Sequence, residues 1–420
     1  MKRYIGSMLL AIAGTAAQAQ VLSPLVKAHP QVNTARLARI DSVVNEYIRN
    51  DWVKGVVVLL AKDNQLLLNK GYGLQDADTK KPMPANAIFR IMSQTKAITS
   101  VAIMMLYEEG KLLLDDPIAN YIPEFKNARV LDAYHAADTT YTTVPANRPI
   151  TFRDLLTHTS GIDYAAIGSD QLRAIYQKAG IPSGLGSIDM NLLDAMKLLA
   201  KQPLKFQPGT QWQYGLNTDL LGCLVQVISG TTLDVFFKQR IFEPLGMHDT
   251  YFTVPAAKAS RMAAAYTETA DGKIIKWGHA FRGIDEDYPL MPTQFYSGGA
   301  GLSSTAYDYA IFLQMLLNKG RYNNVQLLSP RTVEMMTTGQ QDYLFNGSNN
   351  FGLGFEVVTD KGAALGPRNK GSFAWGGYFG TTYWADPKAG VVALIMTQQS
   401  PNSHGDLAAK LQALMYASFK

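Results

Sequence analysis

The chain has 420 residues, of which 47% are hydrophobic and 17% are charged, and its formal net charge is +5 at pH 7. This composition is typical of a globular protein with a large core and excludes a disordered chain. The basic residues form no Lys/Arg-rich run, so we expect no nucleic-acid partner. The one cysteine, Cys223, excludes an internal disulfide, and its apolar neighbours predict a buried core thiol.

The first residues have the pattern of an export signal. Two basic residues follow Met1, an apolar run extends over residues 8–13, and Ala-Gln-Ala at 17–19 is typical of a cleavage site. The apolar run is too short to span a bilayer. We therefore expect a signal peptide over residues 1–19, and a mature protein in the bacterial periplasm or outside the cell, with no stable membrane anchor. An uncleaved N-terminal anchor is the alternative.

Strands are predicted near both ends of the chain. A helical pattern over residues 37–50 precedes two runs typical of a hairpin, 55–61 and 66–73. The last third combines helices with further strands, of which the final two are joined by a turn at 387–390. The helices predicted there are 305–317, 330–337 and 407–416, and the strands are 352–358, 371–375, 381–385 and 391–396.

The middle of the chain has little strand signal. Its predicted helices lie in 151–161, where Thr151 is the expected cap, and in 190–202, 219–229 and 233–242. We therefore predict an α+β fold. Its antiparallel sheet, flanked by helices, is built from residues 35–124 and 291–420, and a mostly helical domain is inserted over residues 125–290. Ligand sites tend to lie at such domain interfaces.

Ser93-Gln-Thr-Lys96 begins a segment with helical spacing from Ala97 to Leu106, ended by Gly110. Residues three apart on a helix share a face, so Ser93 and Lys96 can meet. A serine hydroxyl needs a neighbour that accepts its proton, and a desolvated lysine can do this. The same residues also fit an ordinary capped helix, so the motif alone does not establish catalysis.

Other hydrolase and cofactor patterns are absent from the sequence. No G-x-S-x-G occurs, the six histidines have no metal-binding spacing, and no phosphate-binding glycine pattern follows a strand. We expect no metal and no cofactor. A serine–lysine design is the familiar catalytic pattern that remains.

Tyr214 is the candidate for a second proton carrier. It lies on a connection that turns at Pro208-Gly209 and enters a helix near Asn217. A tyrosinate beside a lysine ammonium is stabilised, so the two groups can share a proton. A packed core tyrosine is the alternative.

Trp375-Gly376-Gly377-Tyr378 forms a third candidate element, at the end of a predicted strand. Two glycines allow the backbone to approach a substrate closely. The backbone N–H groups of Ser93 and Tyr378 could then form an oxyanion hole. A plain hairpin turn is the alternative.

In this order and at these separations, the segments around Ser93, Tyr214 and Trp375 resemble the serine β-lactamase and penicillin-binding-protein superfamily over about residues 35–415. Further matching segments are Phe89-Arg-Ile-Met92, Glu109-Gly-Lys-Leu-x-Leu-Asp-Asp-Pro117, Leu155-Leu-Thr-His-Thr-Ser-Gly161, Phe206-x-Pro-Gly209, Pro244-Leu-Gly-Met247 and Gly298-Gly-x-Gly-Leu302. The resemblance implies a β-lactamase/transpeptidase-like fold. It also implies that Ser93 is the acylated nucleophile and that Lys96 and Tyr214 are its proton-transfer partners.

Within that superfamily the chain most resembles the class C-like branch, and there the family VIII carboxylesterases. A class C β-lactamase is expected to carry Tyr-x-Asn, whereas Tyr214 is followed by Gly-Leu and Asn217 comes one residue late. The family's Lys-Thr-Gly is replaced by Trp375-Gly-Gly, as in esterases of the family. Anionic β-lactams therefore lose a partner for their carboxylate.

The resemblance, together with the N-terminal export pattern, implies an exported serine hydrolase that cleaves small, short-chain carboxylic esters through a Ser93 acyl-enzyme. Its predicted substrate pocket contains Trp375, Gly376, Gly377 and Asn217, with Tyr378 and Tyr383 as further candidates. His158 is expected to be a structural histidine that caps a turn. The alternatives are a β-lactamase or D-amino-acid peptidase of the same fold, and a non-catalytic penicillin-recognising domain.

Overall fold

The computed structural model describes residues 21–184, 186, 189–278 and 284–420, and it covers the side chains of all of these except 342–345. The predicted signal peptide, residues 1–19, lies outside the described residues, so its cleavage stays a prediction. In the described part of the chain, no single helix is long and apolar enough to cross a membrane. One helix pair, bent by 82° between Asn217–Ser229 and Leu233–Leu245, meets that test by length and composition only.

A nine-stranded antiparallel sheet joins the two ends of the chain. Its strands are β1 (Gly55–Lys62), β2 (Gln65–Asp76), β3 (Lys81–Pro82), β4 (Gln341–Leu344), β5 (Asn349–Phe351), β6 (Glu356–Val358), β7 (Phe373–Gly376), β8 (Thr382–Asp386) and β9 (Val391–Met396). Their spatial order is β4-β5-β6-β7-β8-β9-β1-β2-β3, so the last strand pairs with the first. In that pairing Leu59 lies opposite Leu394. The predicted fold class is confirmed.

Five longer helices surround the sheet and the site. They are α1 (Arg39–Arg49), α2 (Thr95–Glu108), α3 (Asn217–Ser229), α4 (Ala306–Leu317) and α5 (Leu407–Ala417). Shorter helices are Thr34–Leu37, Phe152–Leu156, Asp170–Lys178, Leu192–Leu199, Leu233–Phe237, Glu243–Leu245, Pro330–Met336 and Asp360–Leu365, with a π-helical turn at Lys238–Phe242. Short 3₁₀ helices include Met92–Gln94, Ile118–Asn120, Pro123–Asn127, Ala256–Arg261 and Tyr288–Leu290.

Local sequence signals explain several of these boundaries. Thr151 caps the helix Phe152–Leu156 through a capping box with Asp154, as the sequence predicts. Helix α3 ends where Gly230 adopts a left-handed φ of 72°. The turn between β8 and β9 lies at residues 387–390, also as predicted.

Two predictions of strand content are wrong. The predicted strand 352–358 contains only β6, because Gly354 has a φ of +94° and its N–H donates to the carbonyl of Leu156, away from the sheet. The middle region, predicted to have little strand, contains two hairpins. These pair Arg129–His135 with Thr140–Pro145, and Tyr266–Glu268 with Ile274–Lys276. The domain bounds 35–124, 125–290 and 291–420 stay a prediction.

Apolar cores cover both faces of the sheet. All eight residues of β1 are buried, with Val57 and Leu59 on one face and Val56 and Val58 on the other. Helices α2, α3 and α4 belong to the first core, whereas α1 and α5 belong to the second. Cys223 is buried in the first core, as predicted, and burial raises the pKa of its thiol to about 12.

Candidate active site

The segment that carries Ser93 is held in a strained backbone conformation. Met92, immediately before it, has a φ of 49°, which non-glycine residues rarely adopt. Ser93 then lies in the 3₁₀ turn Met92–Gln94, which leads directly into α2. Such strain costs on the order of 1–3 kcal/mol and persists only where the surrounding structure imposes it. In this conformation the half-buried Ser93 side chain lines a cavity.

Lys96 lies one turn later, on a helix that is buried on every side. Its side chain is only 3% exposed, and its Nζ donates to Ser93 Oγ at 3.3 Å. The same nitrogen donates to the hydroxyl of Tyr164 at 2.9 Å and to the carbonyl of Gly299 at 2.8 Å. These three acceptors match the three protons of an ammonium. The structure thus brings Ser93 and Lys96 together as the S-x-x-K spacing predicts.

Tyr164 was not predicted from the sequence. It follows the matched segment that ends at Gly161, and its side chain is 5% exposed. Burial and the neighbouring Tyr214 raise the pKa of Tyr164 well above its usual value, so its hydroxyl stays neutral and accepts the bond from Lys96. The signal that could have found it is a tyrosine three residues after the Thr-Ser-Gly of a matched motif.

Tyr214 lies beside the same lysine. Lys96 Nζ is 4.7 Å from the centroid of the Tyr214 ring, and Trp375 Nε1 donates to the Tyr214 hydroxyl at 3.4 Å. Asp163 holds the two tyrosine segments together, because its Oδ1 accepts both from the N–H of Tyr164 and from the side chain of Gln213, at 2.9 Å each.

The predicted pocket position of Asn217 is wrong. Asn217 is fully buried at the start of α3, where its side chain accepts from Ser160 and contacts His158 Nδ1 at 2.9 Å. Because Gly-Leu separates it from Tyr214, Asn217 is the first residue of α3. Its side chain therefore bonds to the loop of Ser160 and His158. His158 is likewise buried, with a φ of 56° and a ring centroid 5.0 Å from that of Tyr214. Burial, with a smaller effect of Lys96, lowers the pKa of His158 well below 6.5.

The end of β7 lies directly against the nucleophile segment. A Cβ added at Gly377 would stand 2.4 Å from the carbonyl oxygen of Ile91, so the second glycine of Trp375-Gly-Gly is needed for this approach. Trp375, Gly376, Gly377 and Tyr378 all line the cavity that contains Ser93. The oxyanion role of the Ser93 and Tyr378 N–H groups stays a prediction.

The cavity has a volume of about 1210 Å³. Its walls near Ser93 are mainly apolar and aromatic, and include Tyr164, Tyr214, Trp277 and Trp375. Tyr383 also contributes, although it is almost wholly buried and packs on Tyr309 with ring centroids 5.1 Å apart. Among the described residues, no group of three or more His, Cys, Asp or Glu side chains could hold a metal ion.

A serine that lines a cavity, in contact with a buried lysine and beside two tyrosines, defines a serine hydrolase built on a β-lactamase/transpeptidase-like fold. Comparisons with known proteins agree with this class. The sequence matches the Beta-lactamase family over residues 40–417, and the chain belongs to that family.

Curated relatives and solved structures extend over most of the chain. Protein Rv1367c of Mycobacterium tuberculosis is 36% identical over 370 residues, covering 85% of this chain and 88% of that protein. Esterase EstB of Burkholderia gladioli is 28% identical over 396 residues, covering 90% and 95%. The solved structure of EstCE1, described as a hydrolase with promiscuous acyltransferase activity, has a TM-score of 0.78 at 27% identity and covers 91% of this chain and 99% of its own.

Proposed function

We propose that this hydrolase cleaves carboxylic esters with short acyl groups through an acyl-enzyme on Ser93. The observation that carries the proposal is the position of Trp375. Its indole N–H contacts the Tyr214 hydroxyl, at the place where the resemblance predicts a lysine that binds substrate carboxylates. An uncharged ester needs no such cation, whereas an anionic β-lactam or a peptide with a free carboxylate does.

The charge of the cavity supports the same choice of substrate. Among the described residues that line it, the one arginine or lysine is Arg368, and its guanidinium already pairs with Glu356 at 3.0 Å. The remaining walls near Ser93 offer aromatic faces. A cavity of about 1210 Å³ also exceeds what a short acyl group fills, so the alcohol portion of the ester can be bulky.

The proposed reaction has two balanced halves. Ser93 Oγ attacks the ester carbonyl carbon, and its proton passes to the Lys96–Tyr214 pair while backbone N–H groups of Ser93 and Tyr378 hold the oxyanion. The C–O bond to the alcohol then breaks, and the alcohol leaves with the proton. Water attacks the acyl-Ser93, gives its proton to the same pair, and the carboxylic acid leaves as Ser93 regains its hydrogen.

The test is hydrolysis of p-nitrophenyl acetate and butyrate by the wild type and by Ser93→Ala. We expect turnover that falls to the uncatalysed background in the variant, together with a mass increase of one acyl group on wild-type Ser93 in quenched samples. Turnover of nitrocefin or of a D-alanyl-D-alanine peptide that exceeds ester turnover would instead favour a β-lactamase or peptidase. Equal ester hydrolysis by both proteins would exclude the proposal.

We also propose export, from the basic and apolar pattern of residues 1–19. The full-length chain, expressed in its bacterial host and fractionated, should give a mature protein that begins at Gln20. N-terminal sequencing checks this, and an intact Met1 in the folded protein would contradict it.

A further inference from the structure

Asp219 is a buried carboxylate next to the catalytic helix. It lies in the first turn of α3, five residues after Tyr214, and is 1% exposed. Its Oδ1 accepts from Ser297 Oγ at 2.5 Å and from the N–H of Gly299 at 3.3 Å.

The loop from Ser297 to Gly299 is hydrogen-bonded to both Asp219 and Lys96. The carbonyl oxygen of Gly299 accepts from Lys96 Nζ at 2.8 Å, and Ser297 Oγ also accepts from the N–H of Ala300 at 3.0 Å. A Cβ added at Gly299 would stand 2.4 Å from Asp219 Oδ2, so the carboxylate packs directly on the backbone that carries this carbonyl. Any displacement of Asp219 therefore moves an acceptor of the lysine.

The charge of Asp219 has one evident counterpart. Within the described part of the chain, its Oδ2 is buried and has no hydrogen-bond partner. Burial raises the pKa of Asp219, and the charge of Lys96 is the largest effect that opposes this rise. The other titratable groups around Lys96 are Tyr164, Tyr214 and His158. Burial keeps Tyr164 and His158 neutral, and the charge of Asp219 adds to the rise in the pKa of Tyr164. Asp219 is thus the buried carboxyl group beside this site whose ionised form the charge of Lys96 favours.

We propose that Asp219 is a positioning residue for the reaction: its carboxylate fixes the loop from Ser297 to Gly299 and balances the charge of Lys96. Removing the negative charge makes the ammonium less favourable, so the Lys96–Tyr214 pair loses its proton at lower pH. Removing only the Ser297 hydroxyl loosens the loop but leaves the carboxylate and its contact with the N–H of Gly299 in place. The proposal rests on the proposed function in taking Ser93 as the nucleophile and Lys96 and Tyr214 as its proton carriers.

The test is the pH profile of kcat/KM for p-nitrophenyl acetate in the wild type, Asp219→Asn and Ser297→Ala. We expect Asp219→Asn to shift the acid limb down by about one pH unit and to lower kcat about 10-fold. Ser297→Ala should lower kcat while its acid limb stays at the wild-type pH. Asp308→Asn is the matched control, because Asp308 is a buried carboxylate outside the cavity whose pKa burial raises to about 6.

Two further measurements keep the inference falsifiable. Asp219→Ser also removes the negative charge, and it puts a smaller side chain in its place. It is the second neutral variant, so the test can still be made if Asp219→Asn fails to fold. The rate at which a fluorophosphonate labels Ser93, followed against pH, should show the same shift and requires no ester turnover. Folded neutral variants with an unshifted acid limb in both assays would overturn the role of Asp219, even if ester hydrolysis itself is established.

Discussion

Lys96 Nζ lies 2.9 Å from the hydroxyl of Tyr164 but 3.3 Å from Ser93 Oγ. The carbonyl of Gly299 is the third acceptor, so Lys96 Nζ has one acceptor for each proton that an ammonium carries. In its ammonium form, Lys96 has to release one of these protons before it can accept the proton of Ser93. The half-buried Tyr214 has its ring against Lys96 and lines the cavity, and we propose that it exchanges this proton with the cavity.

The two tyrosines should therefore differ in mutational effect. Tyr214→Phe removes the proposed proton carrier, and we expect kcat for p-nitrophenyl acetate to fall about 1000-fold. Tyr164→Phe removes a hydrogen bond to a charged group, and we expect a fall of about 10-fold with KM unchanged.

Tyr176→Phe is the control for this pair, because Tyr176 is buried and hydrogen-bonded to Pro203 but does not line the cavity. Its activity should equal that of the wild type. A Tyr164→Phe enzyme impaired as severely as Tyr214→Phe would mean that Tyr164 carries the proton.

Gly377 should tolerate no side chain. Gly377→Ala places a Cβ 2.4 Å from the Ile91 carbonyl, so β7 has to move away from the Ser93 segment. We expect a loss of unfolding free energy of about 2 kcal/mol and a large loss of kcat. Urea unfolding and ester assays measure both. Gly366→Ala, whose added Cβ meets nothing closer than 3.7 Å, should change neither, and an active, stable Gly377→Ala enzyme would refute the steric argument.

The indole N–H of Trp375 should contribute to kcat. Trp375→Phe keeps an aromatic ring against Tyr214 but removes the donor 3.4 Å from its hydroxyl, and we expect kcat to fall about 5-fold. Trp212→Phe is the matched control, since Trp212 also stacks on Tyr214 while its buried Nε1 has no hydrogen-bond partner in the described structure. Steady-state kinetics separate kcat from KM. Equal effects of the two variants would assign the loss to packing.

His158 should make the protein sensitive to acid. Its pKa is lowered in the folded state, so below pH 6.5 the unfolded chain binds a proton that the folded protein does not. The unfolding free energy should therefore fall by about 1.4 kcal/mol per pH unit as the pH decreases below 6.5.

Urea unfolding between pH 5 and 7.5 measures this dependence, relative to a His158→Gln variant in which other titrating groups are unchanged. The variant should be less stable at pH 7.5 but should have a shallower slope. His404→Gln, at a partly exposed histidine that stacks on Trp52, is the control for replacing a histidine elsewhere in the fold. Parallel curves for the wild type and His158→Gln would show that His158 is not the group responsible.

Local patterns in the sequence were sufficient to predict the fold class and the contact between Ser93 and Lys96. The three-residue spacing of Ser93 and Lys96 places them on one turn of a helix wherever that helix lies, because this is a property of the backbone alone. The alternation and apolar runs of β1 and β9 likewise predict strands, and burial on both sides of the sheet requires the helices around it.

Only the tertiary structure decided which other groups surround Lys96. Tyr164, Gly299 and Asp219 are 68, 203 and 123 residues from Lys96 along the chain, so no periodicity relates them to it. Asn217 shows that closeness in the sequence can also mislead. Its position three residues after Tyr214 suggested a pocket residue, but the first turn of α3 places its side chain in the protein interior. Helical and strand periods act within one element, whereas the surroundings of Lys96 depend on how separate elements pack.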